Sequence, residues 1–124
     1  MNERVPSFEI IQGDCLEKLH ELAKEGRKFD ALVADPPYCS GAMSPADVSR
    51  GDAIRKYCDR VDLGSFSDAM SQRAFLLFTR EWLHAARAVM KSPSYCFIFI
   101  DWRQLPTMTD AIQTSGWIWR GIAV

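Results

Sequence analysis

The residues with a reactive pattern in this sequence are Asp35-Pro36-Pro37-Tyr38, which follow at once on the apolar run Ala31-Leu-Val-Ala34. The two prolines hold φ at about −65° and donate no backbone hydrogen bond, so neither strand nor helix continues through them. Their carbonyls stay free, and Asp35 and Tyr38 are expected on a stiff turn. The chemistry suited to this group is transfer to an exocyclic amine conjugated with a ring, as in adenine or cytosine. Such a nitrogen is a poor nucleophile because its lone pair is delocalised. A carboxylate and a backbone carbonyl accept its two N–H bonds and draw it toward sp³ geometry as it attacks. Tyr38 supplies a face on which the base stacks once it has left the duplex. Taken singly, each residue reads more plainly as part of a strand end before a rigid loop. The four in this order, after an apolar strand, make a more specific signal.

That turn needs a strand to carry it. The run ending at Ala34 is brief, continuous and followed by a breaker, so it reads as a buried strand. In open α/β sheets, ligands bind at the carboxyl ends of such strands. Phe8-Glu-Ile-Ile11 alternates weakly and reads as an earlier strand, ending at Gly13-Asp14. Asp14, with Glu17 three residues on, resembles a capping box and opens a helix through Leu16, Leu19, Leu22 and Ala23, stopped at Gly26. A long segment, 39–65, shows no sustained period. It carries Arg50, Arg55, Lys56 and Arg60 around Tyr57, with Asp47, Asp52, Asp59 and Asp62 interspersed. Basic residues beside an aromatic suit phosphate contacts near a flipped nucleotide, and a solvated polar loop is the alternative.

Ser65-Phe-Ser-Asp68 is a second cap-like pattern. It predicts a helix over 68–90 with a core stripe of Phe75, Phe78, Trp82, Ala85, Ala86 and Val89. His20 and His84 are expected at the surface. Lys91-Ser-Pro-Ser94 ends that helix, and Tyr95–Ile100 reads as a strand buried on both faces, as in a parallel sheet. Asp101 follows on the same rim as Asp35, capping a loop or shaping a pocket. A helix with Leu105, Met108 and Ile112 is stopped at Gly116, and Trp117–Val124 reads as a last strand. The order predicts an α/β fold with a mainly parallel sheet flanked by helices, in one domain over 1–124.

With 124 residues, 48% hydrophobic and 25% charged, the chain suits one soluble domain with a real core. A formal net charge of −1 gives no general attraction to nucleic acid, so a DNA contact requires a local basic patch. Cys15, Cys39, Cys58 and Cys96 form no C-x-x-C pair and lack clustered histidines, so no metal site is expected. No signal peptide precedes them, and reduced thiols in a cytoplasm are the expectation. The strongest apolar run is too short to span a bilayer, so no membrane partner is expected.

Asp35-Pro36-Pro37-Tyr38 resembles the catalytic motif of the amino-group DNA methyltransferases, which act on adenine N6 or cytosine N4. Gly13-Asp14-Cys15-Leu16, Phe29-Asp30 and Arg87-Ala-Val-Met-Lys91 match the motif's surroundings. The order, with the catalytic motif near the amino terminus, resembles the family's beta-type permutation. The resemblance implies a Rossmann-like fold and S-adenosylmethionine as methyl donor, with Asp14 and Cys15 near its adenosine end. It also implies double-stranded DNA with a flipped target base as partner, and a setting such as restriction-modification. Asp14 also reads as a plain N-cap, and the two roles are compatible. Adenine N6 is favoured, because the cytosine enzymes more often begin the motif with Ser. Lys91-Ser-Pro-Ser94 departs from the family, which more often has a Gly-rich turn there.

The family's Phe-x-Gly-x-Gly-type turn, which admits the cofactor's methionine end, has no counterpart here, since every glycine is isolated. The expectation is therefore an amino-terminal, catalytic-motif part of a methyltransferase, completed by a missing carboxyl-terminal half or by a homo-oligomer. Two alternatives stand beside it. One is a related enzyme acting on RNA or protein glutamine, and the other is a non-catalytic remnant or interaction module.

Overall fold

The computed structural model describes residues 7–39 and 71–124. The segment 40–70, with the basic loop residues and the cap-like Ser65–Asp68, lies outside them. Helix α1 spans Cys15–Lys24, strand β1 Phe29–Ala34, helix α2 Gln72–Ala88 and strand β2 Met90–Ile98. A 3₁₀ turn, Trp102–Gln104, leads into helix α3, Leu105–Thr114.

Helix α1 begins where Asp14 caps it, its carboxylate accepting from the Leu16 and Glu17 amides at 2.9 and 3.2 Å. It ends in a Schellman pattern. Gly26, at φ +71°, lets its own amide reach the Ala23 carbonyl and the Arg27 amide reach Leu22. Helix α2 is capped by Ser71, with Oγ accepting from the Ala74 amide at 3.2 Å.

β1 and β2 pair in parallel, with Ala31 opposite Tyr95, Leu32 opposite Cys96, Val33 opposite Phe97 and Ala34 opposite Ile98. Near its start the register is irregular, jumping from Phe29–Met90 to Ala31–Tyr95. Lys91-Ser-Pro-Ser94 fills that irregular stretch of β2, so it opens a strand as well as following a helix. Pro93 has no N–H for the ladder, and such a residue is tolerated at a bulge. The Lys28 ammonium donates to the Ala88 carbonyl at 2.6 Å, and the Phe29 amide to Val89 at 2.8 Å. Lys91 pairs with Asp30 at 2.7 Å. Phe29-Asp30 and Arg87–Lys91 thus lie side by side, and their exposed ion pair contributes about 0–1 kcal/mol.

The core lies on one face of this sheet. Leu32, Ala34, Cys96, Ile98 and Ile100 pack against Phe75, Trp82 and Leu83 of α2 and Met108 and Ala111 of α3. Fully burying side chains such as Phe75, Leu83 and Met108 stabilises by about 1.5–3 kcal/mol each. The opposite face is open: Val33, Tyr95, Phe97 and Phe99 are 66, 71, 57 and 60% exposed. β2 is therefore not buried on both sides, contrary to the reading of its continuous apolar run, and β1 shares its open face. Both alternate, because among the described residues helices cover one face only.

The strands expected at Phe8–Ile11 and Trp117–Val124 do not form. Each lacks a ladder partner, and an isolated strand leaves its backbone groups to water. Trp117 is nevertheless anchored, its indole donating to the Leu83 carbonyl at 3.0 Å. The architecture of the described residues is thus a small α/β arrangement with a two-stranded parallel sheet and three helices, in keeping with the parallel α/β order that the sequence predicts. No helix among the described residues is long and apolar enough to cross a membrane.

Candidate functional site

β1 stops at Ala34, and Asp35-Pro36-Pro37-Tyr38 occupies its carboxyl end. The ladder extends one bond past β2, where the Phe99 amide donates to the Ala34 carbonyl at 2.9 Å. The ends of both strands therefore form one rim. From Asp35 onward the chain turns inward: Asp35 is exposed, Pro36, Pro37 and Tyr38 are half-buried, and Cys39 is buried.

Within this turn the Tyr38 hydroxyl donates to Asp35 Oδ1 at 2.6 Å. That bond raises the Tyr38 phenol above its ordinary value, with smaller contributions from desolvation and from the charges of Asp35 and Asp101. Asp35 Oδ2 and the Pro36 carbonyl have no partner among the described residues, so two acceptors remain beside the ring.

Asp101 belongs to the same rim. It caps the 3₁₀ turn, accepting from the Arg103 amide at 2.8 Å, and pairs with the Arg103 guanidinium at 3.2 Å. That guanidinium lies over the exposed Trp102 ring, 4.9 Å from its centroid. The capping role is therefore observed, and the field of Asp101 also reaches Tyr38.

Sequence reasoning missed Gln104. Its side chain is fully buried, and Nε2 donates to the Cys39 carbonyl at 2.7 Å, across 65 positions of chain. Cys39 has φ +49°, a left-handed conformation that costs a residue with a Cβ roughly 1–2 kcal/mol. Such strain persists where the surroundings over-determine it. Gln104 Oε1 is buried without a partner among the described residues. No local signal marks such a pairing, although a polar residue just past a strand end, before a proline-started helix, is the place to look for one.

Asp14 and Cys15 sit apart from this turn, with no hydrogen bond to Asp35 or Tyr38 among the described residues. Both of Asp14's cap bonds fall on Oδ1. Oδ2 is left able to accept from an amine, so the carboxylate fits the adenosine end of a nucleoside cofactor. Cys15 is exposed at the first helical position, its thiol pushed up by partial burial and by the Asp14 charge. No described glycine offers a cradle for a methionine moiety. A side chain at Gly13 would meet Lys18 Cε at 2.6 Å, and Gly116 is covered by Arg87. Gly26 and Gly121 face open space. The described residues thus fit one end of such a cofactor.

Fold and rim together define a small α/β protein with an acid–aromatic turn at the carboxyl end of its parallel strands. Over 94 residues the chain is 30% identical to the Type II methyltransferase M.HinfI of Haemophilus influenzae. That match covers 74% of this chain and 24% of the relative, so the chain spans about a quarter of that protein's length. The likeness suggests a methyltransferase relationship. No family model matches the chain, and no solved structure does.

Proposed function

We propose that this chain is the catalytic-motif part of an S-adenosylmethionine-dependent methyltransferase of partial Rossmann-like fold. It acts on an exocyclic base amine in double-stranded DNA, with adenine N6 favoured over cytosine N4. The observation that carries this reading is the turn after β1, where one Asp35 oxygen is tied to Tyr38 while the other and the Pro36 carbonyl stay available. The similarity to a Type II methyltransferase supports it.

In this reading the target base leaves the duplex and stacks on Tyr38. Asp35 Oδ2 and the Pro36 carbonyl accept the two amine hydrogens. As the nitrogen becomes tetrahedral its hydrogens grow more acidic, so both bonds strengthen in the transition state. Pro37 keeps the turn from relaxing. S-adenosylmethionine supplies an electrophilic methyl group when bound, and Asp14 and Cys15 hold its adenosine end.

The test uses the protein expressed from its gene, duplex DNA and tritiated S-adenosylmethionine, with digestion of the product to nucleosides. N6-methyladenine is the expected product. N4-methylcytosine alone overturns the choice of base, and no labelled nucleoside overturns the reading.

A further inference from the structure

We propose that Gln104 is the positioning residue of the Asp35–Tyr38 turn: its amide, by holding the Cys39 carbonyl, keeps the Tyr38 hydroxyl on Asp35. Two anchors of the turn lie among the described residues. One is β1, which fixes Asp35 through the ladder bond from Phe99 to Ala34. The other must lie beyond Tyr38, because prolines stiffen a turn without deciding where it goes next. Cys39 is that far end, buried and held at φ +49°. The Gln104 amide reaches it from the start of α3 at 2.7 Å.

Gln104 is itself well fixed. The 3₁₀ turn that carries it is capped by Asp101, and its own amide donates to the Asp101 carbonyl at 2.9 Å. Helix α3 follows directly and packs Met108 and Ala111 into the core. The chain Asp101–Gln104–Cys39–Tyr38–Asp35 therefore links the ends of both strands through one buried side chain. Gln104 also keeps a buried acceptor, Oε1, without a partner among the described residues. A side chain retained for packing alone gains nothing from that orphan, and an apolar isostere fills the same space without it. What the amide adds is direction.

The inference concerns the geometry of the free chain, and it rests on the methyltransferase reading only for its consequence in catalysis. It is tested on the full 124-residue chain by tyrosine-labelled NMR titration. Tyr38 is assigned by its loss in Tyr38→Phe. In wild type the bond to Asp35 is expected to hold the Tyr38 phenol above its ordinary value; in Gln104→Met that elevation is expected to be lost, as in Asp35→Asn. Gln104→Met is expected to stay folded, with a cooperative melt. Gln104→Asn, which keeps an amide but is too short to reach Cys39, is read in the same way and covers the case in which the first variant does not fold. A folded variant of either kind in which Tyr38 titrates as in wild type overturns the proposal. In the gene-encoded protein, Gln104→Met should lower kcat and raise KM for DNA while cofactor affinity is kept. Absence of methyl transfer in the wild type counts against the functional reading, and the Tyr38 titration then decides the positioning role alone.

Discussion

The Tyr38 hydroxyl and Asp35 Oδ1 lie 2.6 Å apart, so the ring and the carboxylate of this turn are oriented by each other. The stacking role needs the ring, whereas the hydroxyl only steadies its angle. Tyr38→Phe is therefore expected to cost a few-fold in kcat/KM. Tyr38→Ala is expected to cost far more, since base–aromatic stacking is worth ~1–3 kcal/mol. Equal losses from both would place the role in the hydroxyl. The bond also has a pH signature. Below pH 10 folded and unfolded chains both keep the phenol proton, and its contribution to stability is complete. Above that, the unfolded chain ionises first, and the contribution is lost as pH rises through the elevated folded pKa.

Asp35→Ala in the gene-encoded protein should reduce kcat by at least about a hundredfold, the usual scale for losing a group whose bond tightens in the transition state. Affinity for S-adenosylmethionine should hold, because Asp14 and Cys15 are not bonded to this turn. Single-turnover transfer and cofactor calorimetry on the same variant separate the two. A kcat within tenfold of wild type removes Asp35 from the chemistry.

How much of this was legible in the sequence depends on the range of each interaction. The Asp14 cap and the stops at Gly26 and Gly116 are local, and the sequence reading places all three correctly. The turn after β1 is equally local, its prolines and Asp35 being contiguous. Tyr95–Ile100 is not buried on both faces as its composition suggests, because an apolar run does not tell how many layers cover it. Phe8–Ile11 and Trp117–Val124 have strand-like composition, yet a strand exists only with a partner. Leu83 escaped the stripe but is wholly buried. Gln104 and Cys39 meet across 65 positions, a distance no local pattern spans.

The thiols should differ in reactivity. Burial pushes Cys96 up to about 11, while Cys15, raised by partial burial and by the Asp14 charge, is exposed at the start of α1. At pH 8, alkylation followed by peptide mass mapping should label Cys15 well before Cys96, since the thiolate is the nucleophile. For Cys96 the linkage runs one way. Its stabilising contribution is whole below pH 9 and is lost as pH rises toward 11. Comparable labelling of both at pH 8 contradicts the burial of Cys96.

The two helix-ending glycines offer a matched comparison. Gly26 and Gly116 both have left-handed φ, +71° and +87°. Space for a methyl group is open at Gly26, whereas at Gly116 it would collide with the Arg87 guanidinium. Gly26→Ala should cost about 1 kcal/mol, from conformation alone. Gly116→Ala should cost that and somewhat more, because Arg87 must move; its flexible end keeps the addition small. Chemical denaturation of the two variants measures the difference, and a costlier Gly26→Ala contradicts the geometry.

The open face of the sheet sets the last expectation. Val33, Tyr95, Phe97 and Phe99 stand exposed together, with Tyr95 and Phe97 rings 6.4 Å apart. Among the described residues each strand of the sheet also keeps one free edge, and such edges pair readily with other chains. An apolar patch of this kind marks either an interface or a tendency to aggregate. The 124-residue chain should therefore self-associate, visibly in sedimentation velocity as its concentration is raised. Phe97→Lys places a charge in the centre of the patch without touching the core, so folded stability should change by about 0.5 kcal/mol or less. Self-association should weaken by at least about tenfold, as expected when roughly 1.4 kcal/mol of contact is lost. A wild-type chain that stays monomeric at every soluble concentration, or a Phe97→Lys variant that associates as before, shows that this face does not drive assembly.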